Sequence, residues 1–189
     1  MKKYLPLALL LACAPFTASA GELNYNYVEA GYSKTHFDGF NIDGYAAKGS
    51  MAFNDQFYGA IGVHQDNEQG EYLEPWELTG GYRHGLSDNV DLVAEASYIG
   101  FNSKLGSTRY HNDGYRAAVG VRTALGKHFE LGAKATWTDV ENMNSVVGAN
   151  VEALVKFNQT WGIYGQYHYR EYNFFRNANN WQLGVRASF

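Results

Sequence analysis

Apolar and polar residues alternate one by one along ten separate stretches of the chain. The clearest stretch is the last. Trp181, Leu183, Val185, Ala187 and Phe189 share one face, and Gln182, Gly184, Arg186 and Ser188 share the other. A period of two marks a strand that meets a different environment on each side. The same pattern predicts strands over 25–34, 45–53, 57–65, 76–84, 90–100, 115–125, 129–138, 147–157 and 161–170. The first has the least clear phase, because Tyr25 and Tyr27 fall on the same face as Glu29.

The connections alternate in length. Tight turns fall at 53–57, 84–89, 125–129 and 157–161, and longer polar loops near 35–44, 66–75, 101–114, 139–146 and 171–180. Strands of about ten residues joined by short turns at one end and long loops at the other predict an all-β fold. It is an antiparallel up-and-down transmembrane β-barrel of ten strands, with eight as the alternative. Closure also removes the free edge of the apolar final strand, which would otherwise recruit other chains.

The apolar face carries two aromatic rings. Phe53, Phe57, Phe129, Phe157, Trp161 and Phe189 lie at the turn end. Tyr32, Tyr45, Trp76, Tyr98, Tyr115, Trp137, Tyr169 and Trp181 lie at the loop end, with mostly aliphatic residues between. Membrane interfaces select such rings, because amphipathic rings sit at headgroup level. A soluble lipocalin-like barrel with this face turned inward would explain the alternation but not the rings.

The opposite face is predicted to line the lumen. It carries Glu29, Glu77, Glu95, Glu130 and Glu152 together with Lys48, Arg83, Arg116, Arg122, Lys134, Lys156, Arg170 and Arg186. Unpaired charges in a low-dielectric interior are costly, so mixed signs predict an ion-pair network. Glu29 with Lys48, and Glu95 with Arg116, fall on neighbouring strands. Gly62, Gly81, Gly120, Gly132 and Gly184 also point inward and leave room for Tyr58 and Tyr164, or for water.

The start of the chain stands apart. Lys2 and Lys3, the apolar stretch 5–14 and Ala18-Ser19-Ala20 read as a secretory signal peptide over 1–20, leaving a barrel domain over 21–189. Leu10-Leu11-Ala12-Cys13 weakly resembles a lipoprotein cleavage box. Cleavage after Ala20 would remove the only cysteine, so no disulfide is expected. Losing Lys2 and Lys3 from 15 basic residues leaves 13 against 19 acidic ones, a net charge of −6. With no basic run, nucleic-acid binding is not expected. After the leader no apolar run reaches the roughly eighteen residues of a membrane helix. The chain has 15 Tyr, 11 Phe and 21 Gly but 3 Pro, a balance that suits a β-rich barrel and argues against disorder.

Several stretches together resemble the small outer-membrane barrel family of xanthomonads described as a quorum-sensing and biofilm factor, the Ax-type outer-membrane proteins. They are 24–32 (NYNYVEAGY), 91–95 (DLVAE), 114–123 with Gly114-Tyr115 and Gly120-Val121-Arg122-Thr123, and 157–163 (FNQTWGI). The resemblance implies an outer-membrane barrel tied to biofilm, virulence or signalling, with no defined chemistry. It carries over no motif in the loops.

Candidates for chemistry at the rim are His36 with Asp38, His64 with Asp66, His111 with Asp113, and Ser103 or Ser107. His and Asp two apart recur by chance, and no nucleophile motif surrounds them. His36, His64, His111 and His168 would meet near the outer rim, but they lack metal-ligand spacing. The expectation is a non-enzymatic outer-membrane protein of a Gram-negative cell surface, without cofactor, metal or catalytic residues. Its expected partners are outer-membrane lipid, lipopolysaccharide and the barrel assembly machinery. The protein is expected to be a monomer, with Phe189 as its assembly signal. A narrow porin-like channel for small solutes is the alternative, and a rim-located lipid-modifying enzyme ranks third.

Overall fold

A computed structural model describes residues 23–37, 40–68, 71–105, 108–141, 145–171 and 178–189. The expected signal peptide, 1–20, lies outside these residues. Among them the chain forms ten strands: β1 (Tyr27–Phe37), β2 (Phe40–Ala52), β3 (Phe57–Glu68), β4 (Glu71–Ser87), β5 (Val90–Leu105), β6 (Thr108–Leu125), β7 (Phe129–Val140), β8 (Val146–Lys156), β9 (Trp161–Glu171) and β10 (Ala178–Ser188). Every strand pairs antiparallel with its sequence neighbours, and β1 pairs with β10, so the sheet is a closed up-and-down barrel. Strand count settles on ten, and no edge remains.

The seam is in clean register, with Glu29 opposite Arg186 and Gly31 opposite Gly184. Two of the short turns share one local chemistry. The Asn54 carboxamide oxygen accepts from the backbone N–H groups of Gln56 and Phe57, both at 2.8 Å. Asn158 does the same for Thr160 and Trp161, at 2.9 and 2.8 Å. Asn folding back on its own chain in this way is a standard means of closing a tight turn. At the β4–β5 turn the register shifts between Gly85 and Ser87, a bulge that displaces Leu86.

The strands outrun their sequence signal at the loop end. The β1–β2 ladder continues to Phe37 opposite Phe40, β3–β4 to Glu68 opposite Glu71, and β5–β6 to Leu105 opposite Thr108. Three of the five expected loops are therefore mostly paired hairpin arms. The reason is physical: beyond the apolar band both faces meet a polar environment, so alternation stops while backbone pairing goes on. Pro75 sits inside β4, and the β3–β4 ladder skips from Val63–Trp76 to Asp66–Leu73 there. Proline has no N–H to give to that ladder.

Apolar side chains of the alternating pattern face outward. Tyr45 is 71% exposed, Phe53 67% and Leu183 63%, with Val151, Leu131 and Ile61 exposed in the band between the aromatic rings. Ring contacts link neighbouring strands within each belt: Trp76 to Tyr98 at 5.4 Å and Tyr98 to Tyr115 at 5.5 Å at the loop end, and Phe57 to Tyr82 at 5.3 Å at the turn end. Such an apolar girdle in water would be a large aggregation-prone patch.

Candidate functional site

The lumen is the candidate site, and it is built in layers. The layer nearest the turns is apolar and aromatic. Before β1 begins, Leu23–Asn26 runs into the barrel mouth, and Leu23 and Tyr25 are buried with Tyr58, Val93 and Ala124. The Tyr25 hydroxyl donates to Asp91 Oδ2 at 2.9 Å, and its ring lies 4.7 Å from Tyr58. The guanidinium groups of Arg83 and Arg122 lie 4.7 and 4.6 Å from the Tyr25 ring centroid, within cation–π range. Asn24 and Asn26 fasten the segment. Asn24 Nδ2 donates to the Phe189 carbonyl at 3.1 Å, the Phe189 N–H to the Asn26 carbonyl at 3.0 Å, and the Ala52 N–H to Asn26 Oδ1 at 2.8 Å.

Above it lies an ionic layer centred on Arg186, which is 1% exposed. Its Nε donates to Glu29 Oε1 at 2.6 Å and its Nη2 to Glu152 Oε1 at 2.5 Å. Its Nη1 is 3.8 Å from Glu130 Oε2 and is buried without a hydrogen bond. Arg122 and Lys156 neutralise Glu130 from β6 and β8, at 2.5 and 2.9 Å. The Tyr27 ring covers the Arg186 guanidinium at 4.1 Å. Tyr164, also 1% exposed, fills the space over Gly31 and Gly184, where any Cβ would collide with it. Gly81 likewise makes way for the Tyr58 ring.

Several partners differ from those the sequence suggests. Glu29 pairs with Arg186, its register partner on β10, and not with Lys48, its register partner on β2. Arg116 pairs with Glu77 at 2.5 Å and Lys134 with Glu95 at 2.8 Å, so Glu95 and Arg116 do not pair with each other. Three bridges skip a strand: Arg116–Glu77 from β6 to β4, Lys134–Glu95 from β7 to β5, and Arg186–Glu152 from β10 to β8. In a narrow barrel inward side chains converge, and strand tilt brings their tips level across the curve. Tyr58 follows the same rule, donating from β3 to Glu95 of β5 at 2.6 Å.

Toward the loops the packing opens into a cavity of about 170 Å³. Its wall is largely uncharged. Gln182 reaches His64 across the lumen at 3.3 Å, and Asn150 meets His168 at 2.9 Å. Asn180 donates to Thr35 at 2.9 Å, and Gln166 to Glu152 at 2.7 Å. Arg116 and Arg170 also line the cavity, with Lys48 at its floor.

Among solved structures the chain is similar to the KdgM porin, with 15% identity, 86% of this chain and 99% of that one covered, and a TM-score of 0.50. It is also similar to the β-domain of the Bordetella autotransporter BrkA, with 11% identity, 86% and 98% covered, and a TM-score of 0.56. The fold is that of an outer-membrane β-barrel. No family model matches the chain, and no curated protein matches it by sequence.

For this barrel, the charged residues assigned to the inner face lie there. Arg83 sits in the aromatic layer. Glu29, Arg122, Glu130, Glu152, Lys156 and Arg186 form the ionic layer, and Lys48, Glu77, Glu95, Arg116, Lys134 and Arg170 lie above or around it. Of the interface aromatics, Phe53, Phe57, Phe129, Phe157, Trp161, Tyr98, Tyr115, Trp137 and Trp181 are exposed outward. Trp76 is half-buried with its ring over Gly100, and Phe189 is half-buried at the seam.

The four histidines do not converge. His64 and His168 line the cavity, whereas His36 and His111 are on the exposed outer face. His111 contacts Asp113 at 3.2 Å and Asn102 at 2.7 Å, and His36 contacts Asn41 at 2.6 Å. Asp38, Ser107 and the side chains of Asp66 and Ser103 lie outside the described residues.

Sequence reasoning missed two parts of the lumen. One is the inserted Leu23–Asn26 segment. Its signal was the phase problem at Tyr25 and Tyr27, two large rings on the face of Glu29. The other is the amide wall, because Asn150, Gln166, Asn180 and Gln182 read as ordinary polar positions of alternating strands.

Proposed function

We propose that the protein is a non-enzymatic, non-conducting barrel of the Gram-negative outer membrane that acts at the cell surface through its loop end. The observation that carries this is the closed turn-side lumen, where Tyr25, Tyr58 and the Arg186 cluster are almost wholly buried. A conducting pore keeps a continuous wet path, and here charges and rings occupy it. Outer-membrane residence is supported by the fold and by the two aromatic belts. The resemblance to the xanthomonad family supports a role in biofilm, virulence or signalling. In this reading the barrel is a monomer surrounded by lipid and lipopolysaccharide.

Planar-bilayer recording tests it. Purified protein should insert without steady conductance, and regular single-channel steps would favour the second reading, a narrow channel for small solutes, which the loop-side cavity suggests. Turnover of lipid A or phospholipid by pure protein would favour a rim enzyme.

In the same reading the barrel assembly machinery recognises the aromatic end of β10. Deleting Phe189 should lower the amount of folded protein in isolated outer membranes severalfold, because slow insertion exposes unpaired strands to aggregation and proteolysis. Ser188→Ala, facing the lumen beside it, should leave that amount unchanged. Wild-type levels after the deletion would remove Phe189 as the signal.

A further inference from the structure

The loop-side cavity is chemically unlike the packed lumen below it. Its four lining cations, Lys48, Arg116, Lys134 and Arg170, are matched in number by four lining glutamates. Among the described residues two of the four cations are held in ion pairs, Arg116 with Glu77 and Lys134 with Glu95. Equal numbers leave the cavity wall itself without a net charge to hold an ion. What remains free for a ligand is hydrogen-bonding capacity. The amides of Asn150, Gln166, Asn180 and Gln182 have more donors and acceptors than their mutual contacts use. His64 and His168 each add ring nitrogens. Lys48 projects here with its ammonium 5.8 Å from the Tyr27 ring centroid and makes no ion pair among the described residues.

Size narrows the ligand further. About 170 Å³ holds a small group of waters, each taking about 30 Å³ in the liquid, or one molecule the size of a single sugar ring. Tyr164 and Ile99 also line the cavity and add apolar surface. A few fixed polar groups converging on a concave site with some apolar wall is how small-molecule sites are built. We infer that this cavity is a binding site for an uncharged, hydroxyl-rich solute of about one ring, such as a neutral monosaccharide, which enters from the loop end and stops above the Arg186 layer. The inference rests on the reading that the turn-side lumen is closed.

Titration calorimetry on the full chain folded in micelles tests it. The neutral probes are glucose, galactose, mannose and N-acetylglucosamine, and gluconate and glucosamine are their charged counterparts. At least one neutral probe should bind saturably, at least tenfold more tightly than either charged one. Gln182→Leu and Asn150→Leu should each weaken that binding about tenfold.

Gly62→Leu guards against a merely structural effect. A Cβ at Gly62 meets nothing closer than the Ala47 carbonyl at 4.0 Å, so the side chain can grow into the cavity and fill it without removing a hydrogen bond. It should abolish binding while the protein keeps its heat-modifiable gel mobility. Leu183→Ala, on the outer face, should leave binding unchanged. Absence of saturable binding by every neutral probe, tighter binding of a charged one, or unchanged binding in Gly62→Leu would each overturn this proposal. Bilayer recording separates this from failure of the functional reading: a closed barrel that binds nothing loses only the site, whereas steady conductance loses the closed lumen.

Discussion

The two halves of the lumen use the same alternating strands to opposite ends. In the turn-side half, long charged and aromatic side chains fill the bore, and nearly every one is tied to a partner: Arg186 to three glutamates, Tyr25 to Asp91 and two guanidiniums. In the loop-side half, shorter amides, threonines and imidazoles leave a cavity and keep spare hydrogen-bonding capacity. The difference is what fills the axis: Arg186, Tyr27, Tyr58 and Tyr164 meet there in the turn-side half, whereas the amides, threonines and imidazoles of the loop-side half leave space between them. One half is built for rigidity, and the other keeps room for a visitor.

That contrast fails first if Arg186 is dispensable. Arg186→Leu leaves Glu29, Glu130 and Glu152 buried without their shared cation, and removing one partner of a buried ion cluster costs about 3–5 kcal/mol. Urea unfolding in micelles should show a loss of that size. A loss below about 1 kcal/mol would mean that water, not Arg186, compensates those carboxylates. Val151 and Asn150 sharpen the contrast between lumen and lipid at one height. Val151→Arg puts a charge on the outward apolar band and should cost about 2–4 kcal/mol in a bilayer. Asn150→Leu faces the cavity and should cost about 1 kcal/mol, the net worth of one hydrogen bond. Equal losses at the two positions would reverse the assigned facing. The smallest effect is expected at the cavity wall alone. Gln182→Leu gives up its contacts to His64 and Asn180 but adds apolar packing, so unfolding midpoints should shift little. A loss comparable to that of Arg186→Leu would mean that the loop-side wall is bound as tightly into its contacts as the layer beneath it.

Legibility from sequence followed the same divide. The strand number, the outward set and the two aromatic belts were readable, because one face meets lipid and the other does not. At Phe37, Leu105 and Glu68 that contrast ends, and the strands run on unseen past the predicted loops. The inner charges were readable as a set but not as pairs. Glu95 sits diagonally across from Arg116 on the adjacent strand, yet it bonds Lys134 two strands away, a choice fixed by barrel curvature and tilt rather than by spacing in the chain. Leu23–Asn26 was hidden because a plug and a first strand alternate alike. The cavity was hidden because emptiness depends on the three-dimensional sum of side-chain volumes around a ring.

The bridges that skip a strand have a mechanical consequence. A ring of strands joined only at their edges behaves like a hinged polygon, free to flatten under lateral pressure. Cross-braces from β4 to β6, β5 to β7 and β8 to β10 triangulate it and hold the cross-section round. They also bind the fate of one hairpin to the next. Pulling β10 away from β9 must break the Arg186 tie to β8 as well, so under force this wall should tear in multi-strand panels rather than unzip one strand at a time.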